Sequence, residues 1–274
     1  DKPSYLTFVS TGESAVSLVK NGEPALITLE YSTNDSIWAP YTIGETISLL
    51  DGEKLMFRAG EQGNNFFSSN DENYYNFKIT GSVAAKGNIM SLLDRSCHKN
   101  RVPRDAFSGL FANCWSLTSA PKLPAMKLDE GCYSGMFNGC TSLTSAPELP
   151  SMELAQNCYS YMFSGCTSLT EAPELPSMEL ADCCYYFMFN GCTSLTKAPA
   201  LPATELAEWC YSGMFYGCTS LNYVKALFTR TSIGAISYWL SDVSPSGTFV
   251  KSRDATWDVR GKDGIPYGWT VVTE

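Results

Sequence analysis

Residues 132–150, CYSGMFNGCTSLTSAPELP, contain the phrase that decides the fold, because the chain repeats it with little change. Close copies begin at Cys158, Cys184 and Cys210, each 26 residues after the one before. A fixed period of this size is typical of a solenoid, in which each unit packs only on its neighbours. About five units cover residues 102–229, and the pattern decays outside that range.

Apolar residues recur in register from unit to unit, which assigns them to a shared core. Two of the recurring columns consist of cysteine: Cys114, Cys140, Cys166, Cys192 and Cys218 form one, and Cys132, Cys158, Cys184 and Cys210 form the other. We expect these thiols to fill the core as small apolar groups. Disulfides between units are the main alternative. Zinc is poorly supported, since the chain has one histidine and no C-x-x-C pair.

The spacing of apolar residues within one unit predicts a short amphipathic helix of about three turns. In one unit this face consists of Leu154, Cys158, Met162 and Cys166. Gly165 falls near the predicted helix end, where a positive φ is useful. Paired prolines such as Pro173 and Pro176 follow, and they exclude helix and weaken a regular strand ladder. Each unit is therefore predicted to be a short helix followed by a short extended segment.

The first part of the chain lacks the repeat and shows short alternating or β-branched runs separated by turn signals. This pattern predicts a β-sandwich-like domain over residues 1–95. The solenoid is predicted over residues 96–229, with a cap over residues 230–274 that covers its last open edge. The predicted fold class is accordingly α+β.

The repeated phrase MFxGCTSL…AP.LP resembles the AFxGCxxLxxI.IP phrase of the BspA-like bacterial leucine-rich repeats. It departs from that family in having Ala-Pro where a second aliphatic residue is usual. The resemblance covers the solenoid and implies a secreted or surface-attached bacterial protein that acts in adhesion or as a surface antigen. It also implies an extracellular or outer-surface location. The sequence shows no signal segment, so we expect anchoring by a removed N-terminal segment rather than a membrane-spanning one.

The net charge of the chain and the lack of a catalytic motif limit the classes of function that the sequence supports. A formal net charge of −9 argues against nucleic acid as a partner. The single histidine, His98, stands next to Cys97 without a third orienting group in sequence, which does not predict a catalytic dyad. Glu153, Glu179 and Glu205 recur at the repeat spacing, which is typical of a solvated face. We therefore expect no catalytic residues, metal or cofactor. Cys97 and Cys183, outside the two columns, are the better candidates for reactive thiols.

Positions that differ between units point to a binding surface, because packing fixes interior positions and leaves exterior ones free. Several variable positions carry aromatic residues, which would form an exposed patch suited to a protein or a sugar ring. The candidate binding residues are Tyr161, Tyr186, Phe187, Trp209 and Tyr216. The alternative is that other parts of the chain cover them.

Three hypotheses for the function remain open. The first is a non-enzymatic cell-surface protein that binds a protein or glycan ligand through the solenoid. The second is a structural spacer or surface antigen without a specific ligand. The third is a carbohydrate-active enzyme that uses acidic residues of the N-terminal domain.

Overall fold

The computed structural model describes residues 4–232 and 234–274. About 7 turns of chain stack into a β-solenoid, with 27% of residues in strands and 1% helical. The helical residues form a single 3-10 turn, Ile89–Leu92, and no α-helix occurs in the part of the chain that is described. The predicted α+β class, with a short helix in every repeat, is therefore wrong.

Turn segments stand where the sequence predicted helices. They comprise residues 105–114, 131–140, 157–166, 183–192 and 209–218. Within them, successive backbone N–H groups point in different directions. The N–H of Met136 donates to the carbonyl of Tyr133 at 3.1 Å, whereas the N–H of Phe137 donates to Met162 in the next coil at 2.9 Å. In an α-helix both of these N–H groups would donate within the helix, along its axis. In the turn segments every second N–H donates to the neighbouring coil instead.

The same alternation places every fourth residue in the left-handed backbone region. In one turn segment the φ values are 66° at Gly131, 59° at Gly135 and 73° at Gly139. The helix prediction failed because the apolar residues repeat at a strict spacing of four. On an α-helix each such step rotates the side chain by about 40°, so three steps drift by about 120° and leave the core.

Eight strands precede the solenoid, in agreement with the β-rich character predicted for residues 1–95. They are β1 (Leu6–Ser10), β2 (Ser14–Asn21), β3 (Leu29–Ser32), β4 (Ala39–Tyr41), β5 (Thr46–Leu49), β6 (Lys54–Ala59), β7 (Tyr74–Thr80) and β8 (Val83–Lys86). The later strands are β9 (Arg101–Val102), β10 (Leu117–Ser119), β11 (Lys127–Leu128), β12 (Tyr223–Ala226), β13 (Gly247–Lys251) and β14 (Trp269–Thr273). One sheet has the order β10-β8-β1-β6-β3-β4, and another has the order β5-β2-β7.

The N-terminal strands and the solenoid share one hydrophobic core. Strand β10 of the first repeat pairs in parallel with β8, so the repeats extend an N-terminal sheet. On the other sheet, Phe77 of β7 lies 4.9 Å from Phe8 of β1 and stacks on Phe111 of the first turn segment at 5.3 Å. Strand β7 thereby covers the open end of the first coil.

The proline-containing stretches of the repeats form no regular sheet. All of residues 129–222 are described, and they contain isolated bridges, such as Ser145 to Glu171, but no strand. Proline has no N–H to donate, and each repeat carries two prolines in this stretch. Regular pairing resumes at β12, beyond the last proline pair. The short strand predicted for every repeat is thus also absent from this range.

In the stretch predicted as a cap, the described residues 230–232 and 234–274 continue the stack of coils. The N–H groups of Gly213 and Phe215 donate to Ser237 and Trp239 at 2.8 and 3.0 Å, as in the earlier coils. Strands β12, β13 and β14 pair in parallel in that order.

Two ladders of stacked rings run through the interior. Phe111, Phe137, Phe163, Phe189 and Phe215 stack at 5.4–5.7 Å with planes within 8° of parallel. Tyr133, Tyr159, Tyr185 and Tyr211 stack at 5.9–6.0 Å. The cysteine columns lie beside these ladders, and all nine column cysteines are buried. In one column each thiol donates to a phenylalanine carbonyl, which for Cys114 belongs to Phe77 of β7 and for the other thiols to the preceding coil, as for Cys166 and Phe137 at 3.2 Å.

We expect Cys166→Leu to lower the free energy of unfolding by about 1–3 kcal/mol, because the added methylenes must displace stacked neighbours. Cys166 is fully buried and its thiol already contacts a backbone carbonyl. Urea denaturation followed by circular dichroism measures the change. The control is Cys183→Leu, the same substitution at a half-buried cysteine outside the columns, where the shift should stay below about 0.5 kcal/mol. Equal losses in the two variants would contradict tight packing of the column.

Candidate ligand-binding surface

Four of the five predicted binding residues lie together on the outer side of the turn segments. Tyr161 stacks on Phe187 at 5.5 Å and 19°, and Tyr186 meets both rings edge-on at 5.5 and 4.8 Å. Tyr216 extends the group, 6.3 Å from Phe187. We call Tyr161, Tyr186, Phe187 and Tyr216 the outer aromatic cluster.

The cluster is partly open to solvent. Tyr161 is 37% exposed and Tyr216 is 38% exposed, while Tyr186 and Phe187 are half-buried against them. Burial and the neighbouring Tyr186 hydroxyl raise the pKa of Tyr161 to about 12.

Trp209, the fifth predicted residue, lies apart from this cluster. Its ring packs near Gly234, where a Cβ would lie 3.5 Å from the indole, and its Nε1 donates to Glu208 at 2.9 Å. It is 40% exposed, but it has no ring contact with the four clustered aromatics among the described residues.

Backbone geometry explains how these side chains reach the outer face. Tyr161, Phe187 and Trp209 occupy left-handed positions, with φ of 55°, 49° and 56°. The sequence shows the signal, since Gly109, Gly135 and Gly213 stand at the positions equivalent to Tyr161 and Phe187. Glycine favours positive φ, so a column that mixes glycine with aromatics marks a left-handed position rather than one face of a helix.

A second surface, on the proline-containing side, was missed by the sequence reasoning. A groove of about 620 Å³ lies between coils there, lined in part by Pro173, Pro176, Pro199 and Pro202. The proline pairs three residues apart were its signal, because coils that cannot hydrogen-bond along their length leave space between them.

The cysteines of the described residues form no disulfides. All eleven, each of which lies in the described part of the chain, are free thiols. Burial raises the pKa of Cys158, Cys166 and Cys218 to about 12 and that of Cys132 well above its ordinary value. Such thiols are protonated at neutral pH and unreactive.

The other candidate groups are dispersed. His98 is exposed, and its backbone N–H lies 3.3 Å from the carboxylate of Asp94. Glu153, Glu179 and Glu205 are exposed. Within residues 4–232 and 234–274, no three His, Cys, Asp or Glu side chains are grouped so that they could hold a metal ion.

Comparison of the chain with protein-family models, with characterised proteins and with solved structures finds no match. None of the helical residues described here makes a segment long and apolar enough to cross a membrane.

In native protein at pH 8 we expect iodoacetamide to label Cys97 and Cys183 alone, and slowly. Both are half-buried. Burial and then Asp94 raise the pKa of Cys97 to about 11, and burial and then Asp182 raise the pKa of Cys183. The thiolate is the reactive form, so labelling at Cys97 should quicken as the pH rises from 8 towards 11. Mass spectrometry identifies the labelled sites.

Urea-denatured protein is the control for this labelling, in which all eleven cysteines should react. Native labelling of a column residue such as Cys158 ahead of Cys97 would contradict the assignment.

Proposed function

We propose that this protein is a non-enzymatic binding protein of an outer cell surface, as the BspA-like resemblance implies, and that the outer aromatic cluster is its binding surface. One observation carries the proposal: four aromatic rings, three in mutual contact and a fourth against Phe187, remain partly open to solvent on the outer side of the turn segments. Exposed aromatic groups of this kind favour contact with proteins and with sugar rings.

The stack of coils does not depend on these outer rings. Gly135 and Gly213 occupy the position of Tyr161 and Phe187 in other coils, yet their N–H groups make the same bonds to the next coil, at 2.7 and 2.8 Å. The interior ladders of phenylalanine and tyrosine hold all these coils together. A spacer or antigen without a ligand would have no use for an exposed cluster added to this scaffold.

The enzyme hypothesis has weaker support. Glu30, a partly buried carboxylate of the N-terminal strands, forms ion pairs with Arg58 at 2.8 Å and with Arg95. Both ion pairs occupy the Glu30 carboxylate, which suits a structural role better than that of a catalytic group.

A glycan and matrix-protein array tests the proposal. We expect saturable binding by the wild type and a loss of affinity of about tenfold or more in the double variant Tyr161→Ala/Phe187→Ala, because each stacked ring contributes on the order of 1 kcal/mol. Trp209→Ala is the matched control, since it removes an exposed aromatic of the same face from outside the cluster, and it should bind within about twofold of the wild type.

The two other results each contradict the proposal in a different way. Full binding by the double variant would place the site elsewhere, for example in the proline-lined groove. An absence of any binding by the folded wild type, with folding checked by thermal melting, would favour the spacer hypothesis.

A further inference from the structure

One glycine on the outer side of the turn segments has no aromatic ring over it, whereas the equivalent glycines of other coils are each covered by a ring. At Gly109 a Cβ would lie 3.1 Å from the ring of Tyr74, and at Gly213 it would meet the ring of Phe187. At Gly135 the nearest atom to such a Cβ is Cβ of Asn138, 4.0 Å away. Of the three glycines of this column, Gly135 alone is left uncovered.

The gap above Gly135 is a slot of about 270 Å³ with an aromatic residue at each end. Tyr74 of β7 lies over the coil that precedes the coil of Gly135, and Tyr161 belongs to the coil that follows it. Phe187 covers one face of the Tyr161 ring at 5.5 Å, and it comes from the coil on the far side. The opposite face of Tyr161 is therefore turned towards the slot.

Apart from Gly109, Ala112 and Gly135, the remaining residues that line the slot are polar. They are Asp71, Ser108, Asn113, Ser134 and Asn138, with no lysine or arginine among them. The hydroxyl of Ser108 lies 3.4 Å from the Asp71 carboxylate, so a hydrogen-bonding pair already sits at the rim. Hydroxyl, amide and carboxylate groups beside an aromatic ring suit a ligand with an apolar face and several hydroxyl groups.

We infer that the slot above Gly135 binds one neutral pyranose ring of a glycan. An apolar C–H face of the sugar packs on the free face of Tyr161, in the place that a tyrosine or phenylalanine takes in the following coils. Its hydroxyls bond to the Asn138 amide and the Asp71 carboxylate. The volume of about 270 Å³ lies just below the range of roughly 300–1,000 Å³ typical of pockets for drug-sized ligands, which suits a single ring. The inference rests on the proposed function and narrows it to a ligand class and a site.

The charge of the lining selects among sugars. A carboxylate without a cation in the slot accepts hydroxyl hydrogen bonds and repels an anionic ligand. Neutral hexosides should therefore bind, whereas glucuronic acid should not. An aromatic side chain of a protein partner has the right shape, but it would leave the polar lining without partners.

Gly135→Tyr tests the inference by filling the slot with the protein's own ring. The backbone should tolerate it, since Tyr161 has φ of 55° at the equivalent position and Gly135 has 59°. Saturation-transfer NMR with methyl β-D-glucopyranoside, methyl β-D-galactopyranoside and N-acetylglucosamine measures binding, which for one sugar ring should be about millimolar. We expect saturation of ring protons in the wild type and a loss of at least about fivefold in Gly135→Tyr.

Asn190→Tyr is the matched control, because it adds a ring on the same face where Tyr216 stands in the next coil, and it should keep the signal. Asn138→Ala adds no bulk and should weaken binding severalfold, which keeps the test valid should Gly135→Tyr misfold. Transfer to the sugars that is unchanged in Gly135→Tyr or Asn138→Ala would overturn the inference. The inference would also be overturned if the wild type binds N-acetyltyrosinamide but not the sugars, and if Gly135→Tyr abolishes that binding.

The array separates this inference from the proposed function. Array binding that is lost in Tyr161→Ala/Phe187→Ala but intact in Gly135→Tyr leaves the cluster as the binding surface and overturns the slot. A wild type that binds neither the array nor the sugars overturns both.

Discussion

The alternating direction of the backbone hydrogen bonds in the turn segments is the constraint on which the rest of the structure depends. One N–H bonds within its coil and the next bonds to the neighbouring coil, so a turn segment is incomplete without neighbours. The first coil therefore needs the N-terminal strands. The N–H of Phe77 donates to Leu110 at 2.8 Å, and the Asn76 amide donates to Gly109 and Ala112 at 2.9 and 3.1 Å. Strand β7 thus supplies donors that a preceding coil would otherwise provide.

The same bonds hold neighbouring coils in one register, and that register dictates the core. Identical residues face each other across coils, which is why Phe137 stacks on Phe163 and Tyr133 on Tyr159 with nearly parallel rings. Cysteine suits the remaining column positions because it is small and its thiol can donate to a carbonyl that the ring column already holds in place, as at Cys166. The repeated sequence and the repeated backbone hydrogen bonds therefore support the same register of the coils.

The repeat, its length and its register could all be predicted from the sequence, because the 26-residue period does not depend on the conformation of the chain within one unit. The local conformation could not be predicted. A spacing of four, as at Cys158 and Met162, is compatible with one helical face over a short stretch, and it does not by itself show the backbone conformation of the residues between. Gly131, Gly135 and Gly139, also four apart, mark left-handed positions. The slot above Gly135 was beyond sequence reasoning, since one of its walls, Tyr74, comes from a strand outside the repeats.

Backbone strain at the outer face bears on whether its aromatic residues serve the fold. Tyr161 and Phe187 hold φ values of 55° and 49°, and a left-handed conformation costs a non-glycine residue roughly 1–2 kcal/mol. Their stacking contributes about 0.5–1.5 kcal/mol beyond buried area, which is no larger than the cost of the two left-handed residues. Glycine meets the backbone requirement without strain at Gly135 and Gly213. Under the proposed function, rings that the backbone does not need and that a rigid scaffold already holds in place would lower the entropic cost of binding a ligand.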